Sequence, residues 1–566
     1  MKRRLSFLLI SAFLLSTLSG CFKAANNTVS KDNIPKDAIV LKLMIGRDKD
    51  WVFDNVNRIV KEKNIKVNGK PIYITYEKAG TGEAMDKILE EGSDYVGWMP
   101  ASSTHVLWAN QQWYKKGHTK PIVGENYTTV FLTPTVIAMQ ESLAKVMGYP
   151  DKQISWQDIL KLSTATEGWG IYGKAVLNPV RFAHTHPAFS NSGLNSLIAE
   201  EYAFSGKQKD LTLEDIKNNS QKLKQVEQTI VHYGQSTSLL EKKILEKGPK
   251  FIQYAVLYEY MVAGMNKQAK NSEKIVAIYP SEGTIWGDVC FTNVYSTKVS
   301  DNQKKALEEV KKILISKEMQ EKGMNEYFFR PAASDIPLSN AITLANGVNP
   351  IEPQTTLQLP KIEVIDAILN DWKKNMKKRA DVLFVLDTSG SMQGEPLDNA
   401  VAAMKNLFSK SAQDKNYTNI DNDDTLSLMS FNSNINQPYT VKGSNANDIN
   451  LILSNLNAGG QTALYDAIYK AIKEHNQIKQ KEKEKKIDMI VFLTDGKDTA
   501  SSKSFDELIN YIQQQEGNIP VIITIGYGTE VDENILGQIA DKTGGKYYKG
   551  DPKTINDVFK EIKTFF

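Results

Sequence analysis

The chain has 566 residues, of which 41% are hydrophobic and 24% are charged, as in folded globular proteins of roughly three or four compact units. Its 35 Gly and 19 Pro are close to average usage, which excludes collagen-like and low-complexity classes. The formal net charge is +3, and Lys2, Arg3 and Arg4 account for all of this excess. The rest of the chain lacks the basic excess that nucleic-acid binding requires, so a nucleic-acid partner is not expected.

Residues 1–20 have the pattern of a secretory leader. A basic start is followed by an apolar run that is shorter than the about 20 residues needed to span a membrane. Small residues then precede Cys21, and the tetrapeptide Leu-Ser-Gly-Cys that ends there resembles the lipobox of bacterial lipoproteins. In that family the cysteine is lipidated and becomes the mature N-terminus. The resemblance implies that Cys21 anchors an extracytoplasmic protein to the bacterial cell membrane, with residues 21–37 as a tether.

Residues 38–378 alternate short apolar runs with helical segments, which predicts an α/β domain with a parallel sheet. The apolar runs predict strands at residues 40–45, 72–76, 130–138 and 274–279. The helical spacing predicts helices at residues 51–61, 83–89, 155–162, 211–230 and 302–323. One more helix opens after Pro360 and ends in a run of basic residues, which marks the predicted domain boundary.

Residues 379–566 show a clearer alternation of strands and helices. Strands are predicted at residues 382–386, 425–431, 489–493 and 521–525, and helices from Pro396 and at residues 463–475, 504–513 and 558–562. The first strand is apolar throughout, as expected when helices cover both faces of a sheet. The pattern predicts a doubly wound α/β fold, in which ligand sites lie at the carboxyl ends of the strands.

Oxygen-bearing side chains follow or precede these predicted elements in three separate places. They are Asp387, Ser389 and Ser391 after the first strand, Thr462 before a helix, and Asp495 after the third strand. Hydroxyls combined with one or two carboxylates suit a hard divalent cation such as Mg²⁺. Because the fold brings these loops to one edge of the sheet, the sequence predicts a metal site there.

The same residues carry a family resemblance, since the chain from Asp381 onward resembles a von Willebrand factor A domain. Its DxSxS motif, isolated threonine and TDG-type aspartate are matched by Asp387, Ser389, Ser391, Thr462 and Asp495. The resemblance implies a metal-ion-dependent adhesion site, in which Mg²⁺ or Mn²⁺ keeps a position open for a carboxylate of a protein partner. Asp498 lies outside these matches and is expected to be a solvated turn residue.

The first domain resembles type II periplasmic solute-binding proteins. The resemblance is carried by residues 95–103, 134–138, 156–160, 184–193 and 279–283. It implies two lobes joined by crossing strands, with a small solute between the lobes and hinge closure around it.

Eight polar residues of this domain are candidate ligands for the solute. They are Ser102, Ser103, Thr135, Ser190, Asn191, Ser192, Ser236 and Thr237. Most of them stand at predicted helix N-termini, where hydroxyls and free N–H groups suit an anion. The same residues also suit simple helix capping, and each segment alone favours that interpretation. Taken together within the two-lobed fold that the resemblance implies, they favour a small anionic solute.

The sequence has no Gly-x-x-x-x-Gly-Lys followed by Ser or Thr, no His-Glu-x-x-His and no Gly-x-Ser-x-Gly, so a binding protein is predicted rather than an enzyme. The favoured interpretation is a membrane-anchored lipoprotein with a solute cleft and a metal-dependent site for a protein partner. Two alternatives remain open. One is the solute receptor of an ABC-type transporter with an accessory A domain, and the other is a metal-dependent hydrolase that uses the Asp387 site.

Overall fold

The computed structural model describes residues 34–231, 233–234, 236–268, 273–295, 298–408, 420–481, 485–515 and 519–563. The predicted leader and Cys21 lie outside these residues. Within the described part of the chain, no helix is both long enough and apolar enough to cross a membrane.

The first domain is built on a sheet of ten strands. They are β1 (Ile39–Gly46), β2 (Lys66–Val67), β3 (Lys70–Ala79), β4 (Gly97–Met99), β5 (Thr128–Gln140), β6 (Phe182–Ala183), β7 (Tyr254–Tyr258), β8 (Ile275–Ile278), β9 (Trp286–Asn293) and β10 (Arg330–Pro331). Their order is β2-β3-β1-β4-β9-β5-β7-β6, with β8 and β10 also paired to β5. The pairs of β1 with β3 and β4 are parallel, but β5 is antiparallel to all its partners. The prediction of a parallel sheet is therefore wrong, because β5 runs against the strands on both sides.

Strand β5 joins two lobes, as predicted. Its first half, residues 128–134, pairs with β9, and its second half, residues 135–140, pairs with β7 and β8. One lobe contains β1, β3 and β4, and the other contains β6, β7 and β8. This crossing places Thr135 at the point where the chain passes from one lobe to the other.

Helices cover both lobes. They are α1 (Asp50–Glu62), α2 (Thr81–Ile88), α3 (Thr104–Lys115), α4 (Glu141–Val146), α5 (Trp156–Thr164), α6 (Asn191–Ser205), α7 (Leu213–Glu227), α8 (Thr237–Lys247), α9 (Glu259–Gln268), α10 (Asp301–Leu314), α11 (Lys317–Tyr327) and α12 (Ile362–Asp371). The single helix predicted over residues 302–323 is two helices, α10 and α11. Ser316 lies between the two helices. It caps α11 by accepting a hydrogen bond from the Met319 N–H at 3.4 Å.

The second domain has a six-stranded sheet with helices on both faces. Its strands are β11 (Ala380–Asp387), β12 (Thr425–Phe431), β13 (Tyr439–Lys442), β14 (Ile487–Thr494), β15 (Val521–Tyr527) and β16 (Tyr547–Gly550). Its helices are α13 (Glu395–Phe408), α14 (Asp448–Ser454), α15 (Leu464–Lys481), α16 (Phe505–Gln514), α17 (Glu533–Thr543) and α18 (Ile555–Ile562). The strand order is β13-β12-β11-β14-β15-β16, and every pair is parallel except β12 with β13. The predicted doubly wound fold is confirmed.

The central strand β11 shows why the sequence specifies this arrangement. All eight of its residues are buried. Leu383 and Val385 pack with residues of α15 on one face, whereas Val382 and Phe384 belong to the core that includes α13 and α18 on the other face. A continuous apolar run is stable only when both faces are covered in this way.

The chain between the two domains is anchored to the first domain. Residues Trp372–Met376 form one π-helical turn, and the Trp372 indole N–H donates to Glu227 Oε2 at 2.9 Å. The Tyr233 hydroxyl donates to the same oxygen at 2.6 Å and accepts from the Lys378 backbone N–H at 3.0 Å. Burial lowers the pKa of Lys378 to about 8. The basic run at the predicted boundary is thus partly buried and held in place.

Candidate functional site

Three loops of the second domain meet at the carboxyl ends of β11 and β14. These strands are neighbours in parallel register, so Asp387, which ends β11, lies close to Asp495, which directly follows β14. Ser389 and Ser391 follow β11 in a short turn, and their hydroxyl oxygens lie 3.2 Å apart. The Ser391 hydroxyl donates to Asp495 Oδ1 at 2.8 Å. Strand register therefore brings together groups that are far apart in the chain.

Thr462 comes to the same place from the start of α15. Both hydroxyls lie beside Gly496, where an added Cβ would be 3.4 Å from Thr462 Oγ1 and 3.7 Å from Ser391 Oγ. The Gly390 N–H donates to the Gly460 carbonyl at 2.9 Å, which ties the loop before Thr462 to the loop after β11. All five predicted metal-site residues thus lie around one point.

Asp387 is buried at the base of this site and is held by two hydrogen bonds. Its Oδ1 accepts from the Ser389 backbone N–H at 2.8 Å, and its Oδ2 accepts from the Thr494 hydroxyl at 2.5 Å. Burial raises the pKa of Asp387, and the nearby charge of Asp495 raises it further. Burial also raises the pKa of Asp495. Sequence reasoning missed Thr494, although its position directly before Asp495 at the end of β14 is the signal that could have found it.

The expectation that Asp498 is a solvated turn residue is wrong. Its Oδ1 accepts from the backbone N–H groups of Leu464 at 2.8 Å and Tyr465 at 3.4 Å, and from the Ser501 hydroxyl. Asp498 therefore caps the N-terminus of α15 from another loop, where a carboxylate also stabilises the helix dipole. This bond fixes the start of α15 and with it the position of Thr462.

The donor set of this site fits a hard divalent cation. It offers two carboxylates and three hydroxyls, with no nitrogen or sulfur ligand, which is the set that Mg²⁺ and Mn²⁺ accept. The two buried carboxylates have raised pKa values, so a cation between them would relieve the cost of their charges. Such an ion would supply an electrophilic position for a further oxygen ligand.

In the first domain, three of the eight predicted cleft residues, Ser190, Ser192 and Thr237, are joined by hydrogen bonds at the start of α6 and α8. The Ser192 hydroxyl lies 3.5 Å from that of Ser190 and 3.2 Å from that of Thr237. The Asn191 side-chain amide donates to the Tyr258 hydroxyl at 2.9 Å, which links the start of α6 to the end of β7. Ser190 makes no side-chain cap on α6, so capping does not explain its position.

The other four predicted residues make different hydrogen bonds. Thr135 accepts from the Asn195 amide at 2.9 Å and so faces the second turn of α6. Ser236 caps α8 by accepting from the Leu239 N–H, as the capping interpretation predicts. Ser102 and Ser103 follow β4 in the first lobe. The Ser102 hydroxyl bonds to the Thr104 hydroxyl at 3.1 Å, and the Ser103 N–H donates to Asp288.

Charged groups that sequence reasoning missed also lie between the lobes. Asp48 and Lys49 follow β1, and the Lys49 ammonium group contacts Asp48 at 2.7 Å and the Tyr260 hydroxyl at 3.2 Å. Burial and the charge of Asp48 raise the pKa of Glu241 on α8 to about 7. The position of Asp48 and Lys49 at the carboxyl end of a strand is the signal that could have found them.

The lobes are in contact with each other in this structure. The Gly82 N–H at the start of α2 donates to the Phe189 carbonyl of the second lobe at 3.0 Å. A separate cavity of about 10 Å³, enough for one water molecule, lies beside α5 and α6 among Thr135, Trp156, Asn195 and Thr284. The two lobes therefore touch at the start of α2 in this structure.

Comparison with known proteins assigns the second domain. Residues 381–561 match the von Willebrand factor type A domain family. The inter-alpha-trypsin inhibitor heavy chain H2 of Sus scrofa is 23% identical over 172 residues, which cover 29% of this chain and 17% of that protein. This chain thus spans less than a fifth of the curated relatives that it matches.

Two solved structures are also similar. A von Willebrand factor type A protein from Catenulispora acidiphila is 20% identical, covers 33% of this chain and 43% of its own, and has a TM-score of 0.28. A periplasmic thiamin binding protein is 13% identical, covers 60% of this chain and 96% of its own, and has a TM-score of 0.43. The family match and the strand order agree on the second domain. Residues 381–561 are a von Willebrand factor type A domain, which follows a two-lobed α/β domain in this chain.

Proposed function

We propose that this protein is an extracytoplasmic binding lipoprotein whose A domain holds Mg²⁺ or Mn²⁺ and captures a protein partner through that ion. The observation that carries the proposal is the convergence of five oxygen-bearing side chains from three loops at the ends of β11 and β14. Ser389 and Ser391 would coordinate the ion directly. Asp387, Thr462 and Asp495 would bind it directly or orient its waters, as carboxylates around metal sites often do.

An open position on the ion would accept an Asp or Glu side chain of the partner. Hydroxyls are weak ligands and Mg²⁺ retains water readily, so the protein side chains need not fill its octahedron. A partner carboxylate that replaces one water would bind in a metal-dependent manner, and chelators would abolish the capture.

The metal site is tested by calorimetry on the full chain with Mg²⁺ and Mn²⁺. We expect one binding event in the wild type and none in Asp387→Ala, with the same circular dichroism spectrum in both. Asp398→Ala is the matched control, because this exposed aspartate on α13 lies outside the site. Equal binding in Asp387→Ala, or no binding in the wild type even with a carboxylate ligand present, would contradict the proposal.

The two-lobed domain is proposed to bind a small solute between its lobes. The support is the crossing strand β5, together with the polar group of Ser190, Asn191, Ser192 and Thr237 at the start of two helices. A bound solute stabilises the folded state by mass action. A panel of anions, amino acids and cations should therefore contain one that raises the melting temperature of the full chain. A panel without any shift would indicate that this domain serves as a spacer or docks another protein.

The anchor is proposed from the leader and Cys21. Expression of Cys21→Ala in a bacterial host should move the protein from the membrane fraction to the soluble fraction or leave the leader uncut. Unchanged processing and membrane retention would contradict the lipid anchor.

The two-lobed cleft also supports a second function, that of the solute receptor of a membrane transporter. The two functions differ in one measurement. Uptake of the solute that falls when the gene is deleted favours transport, whereas metal-dependent partner capture without uptake favours adhesion. Turnover of a substrate that is lost in Asp387→Ala would instead indicate a hydrolase.

A further inference from the structure

We propose that the A domain has a second metal site, formed by Asp381, His475 and Asp488, at the opposite end of its sheet from the Asp387 site. Each of these three residues offers a ligand atom, and the three atoms lie within 4.8 Å of one another. The set contains one nitrogen and two oxygens, which suits a zinc-class divalent ion better than Mg²⁺.

The two aspartates are placed side by side by strand register. Asp381 is the second residue of β11 and Asp488 is the second residue of β14, and they are direct partners in this parallel pair. Both side chains point to the face that α15 covers, together with Leu383 and Ile490 further along the strands. Like charges on adjacent positions of one sheet face destabilise the sheet, so this arrangement requires a nearby positive charge.

His475 on α15 lies over this pair and is 0% exposed. Its Nδ1 is 3.9 Å from Asp381 Oδ1, and its Nε2 is 3.6 Å from Asp488 Oδ1. Both distances are too long for a hydrogen bond, and neither ring nitrogen has a hydrogen-bond partner among the described residues. An imidazole buried without a hydrogen bond is costly, and a bound metal ion would satisfy one of its nitrogens.

The distances suit an ion after small movements of the side chains. Zinc binds nitrogen and carboxylate oxygen at about 2.0–2.2 Å, so ligand atoms on the same ion lie at most about 4.4 Å apart. Asp488 has one oxygen for this role because its Oδ2 pairs with Lys479 at 2.6 Å, while Oδ1 faces His475. Such a second contact on a ligating carboxylate is typical of metal sites. Asp488 is 19% exposed, which gives an ion and a completing water access from solvent.

A metal at this point would link α15 to the first residues of β11 and β14. Since β11 begins directly after the anchored junction at Lys378, the ion would also fix the start of the A domain relative to that junction. This role is separate from partner capture at the other end of the strands.

The test uses the full chain with Asp387→Ala, which removes the proposed Mg²⁺ site, and Zn²⁺ as the probe. We expect one equivalent of Zn²⁺ by calorimetry, a rise in melting temperature on binding, and a visible absorption spectrum with Co²⁺ that indicates nitrogen coordination. Adding His475→Gln should weaken Zn²⁺ binding at least about 100-fold and remove the Co²⁺ spectrum. His118→Gln is the matched control, since this histidine is partly exposed and lies in the first domain.

A second variant keeps the test valid if His475→Gln fails to fold. Asp488→Asn, at the partly exposed ligand, should also weaken Zn²⁺ binding while retaining the circular dichroism spectrum. The proposal is overturned if the Asp387→Ala protein binds no Zn²⁺, in which case the histidine is an ion-pair partner of the two aspartates. It is also overturned if Zn²⁺ binds with equal affinity after His475→Gln. Neither result depends on whether the Asp387 site takes Mg²⁺.

Discussion

The Ser391 hydroxyl donates a 2.8 Å hydrogen bond to Asp495 Oδ1, although the two residues are 104 positions apart in the chain. The bond joins the loop after β11 to the loop after β14. It holds a hydroxyl and a carboxylate at the spacing of two ligands on one cation.

Replacing Ser391 with alanine should weaken Mg²⁺ and Mn²⁺ binding. The variant removes one proposed direct ligand and leaves the carboxylate of Asp495 without its hydrogen bond. We expect affinity to fall at least about 10-fold, measured by calorimetry, with little change in melting temperature because the site lies on loops. Ser444→Ala, at an exposed serine of the same domain, is the control. Equal affinity in both variants would remove Ser391 from the site.

Thr494→Val should impair the metal site through Asp387. Valine keeps the shape of the buried threonine but removes the hydroxyl that donates to Asp387 Oδ2 and accepts from the Gly496 N–H. Loss of such an outer contact typically costs about 10–100-fold in metal affinity. Thr440→Val, on the edge strand β13, should not change the affinity. A Thr494→Val protein with wild-type affinity would show that Asp387 needs no such positioning.

Gly82→Ala should open the cleft of the first domain. A Cβ at Gly82 would lie 2.1 Å from the Ala188 carbonyl oxygen and 2.9 Å from Phe189 Cα, so the two lobes could not keep their present contact. Small-angle scattering should report a larger radius of gyration. Gly537→Ala, within α17 where an added Cβ meets no neighbour, should leave the radius unchanged. An unchanged radius in Gly82→Ala would mean that the loop after β6 yields instead.

Trp372→Ala should destabilise the first domain and its junction. The indole is fully buried and donates to Glu227, so truncation creates a cavity and removes a hydrogen bond to a buried carboxylate. The expected loss of unfolding free energy is about 3–5 kcal/mol, measured by urea denaturation. Trp372→Phe keeps the ring packing but loses the donor, so it should cost about 1.5–3 kcal/mol. A cost below 1 kcal/mol for both variants would contradict an anchored junction.

Glu201 on α6 should make the stability of the first domain depend on pH. Burial raises its pKa to about 8, while the unfolded chain keeps the ordinary value of 4.5. The folded state therefore binds the proton more tightly, so its stability is full below about pH 4.5 and falls as pH rises toward 8. Glu201→Gln should remove this fall, so its gain in stability over the wild type should grow from about 1 kcal/mol at pH 5 to about 4 kcal/mol at pH 8.

Melting curves of the full chain across this range provide the measurement. Glu214→Gln, at an exposed glutamate of α7, should follow the wild type at every pH. If Glu201→Gln also follows the wild type, the carboxyl of Glu201 is not buried in solution as it is here.

The local pattern of apolar and polar residues was sufficient to predict the order of strands and helices in the A domain. Apolar runs covered on both faces predicted β11, β12, β14 and β15, and the residues that follow a strand lie at its carboxyl end whatever the rest of the chain does. Asp387, Ser389 and Ser391 follow β11, and Asp495 follows β14. Their convergence could therefore be expected once the doubly wound fold placed these two strands side by side.

Contacts between elements followed from strand register and helix packing, which no local spacing encodes. The hydroxyl of Thr494 reaches Asp387 because β14 lies beside β11, and Asp498 caps α15 across a loop. The sheet of the first domain is mixed because β5 runs against its partners on both sides, although its apolar run reads the same in either direction. His475 meets Asp381 and Asp488 only because α15 packs over one face of a parallel pair. Periodicity reports which face of an element is buried, whereas the partner of each buried side chain depends on how two separate elements align in space.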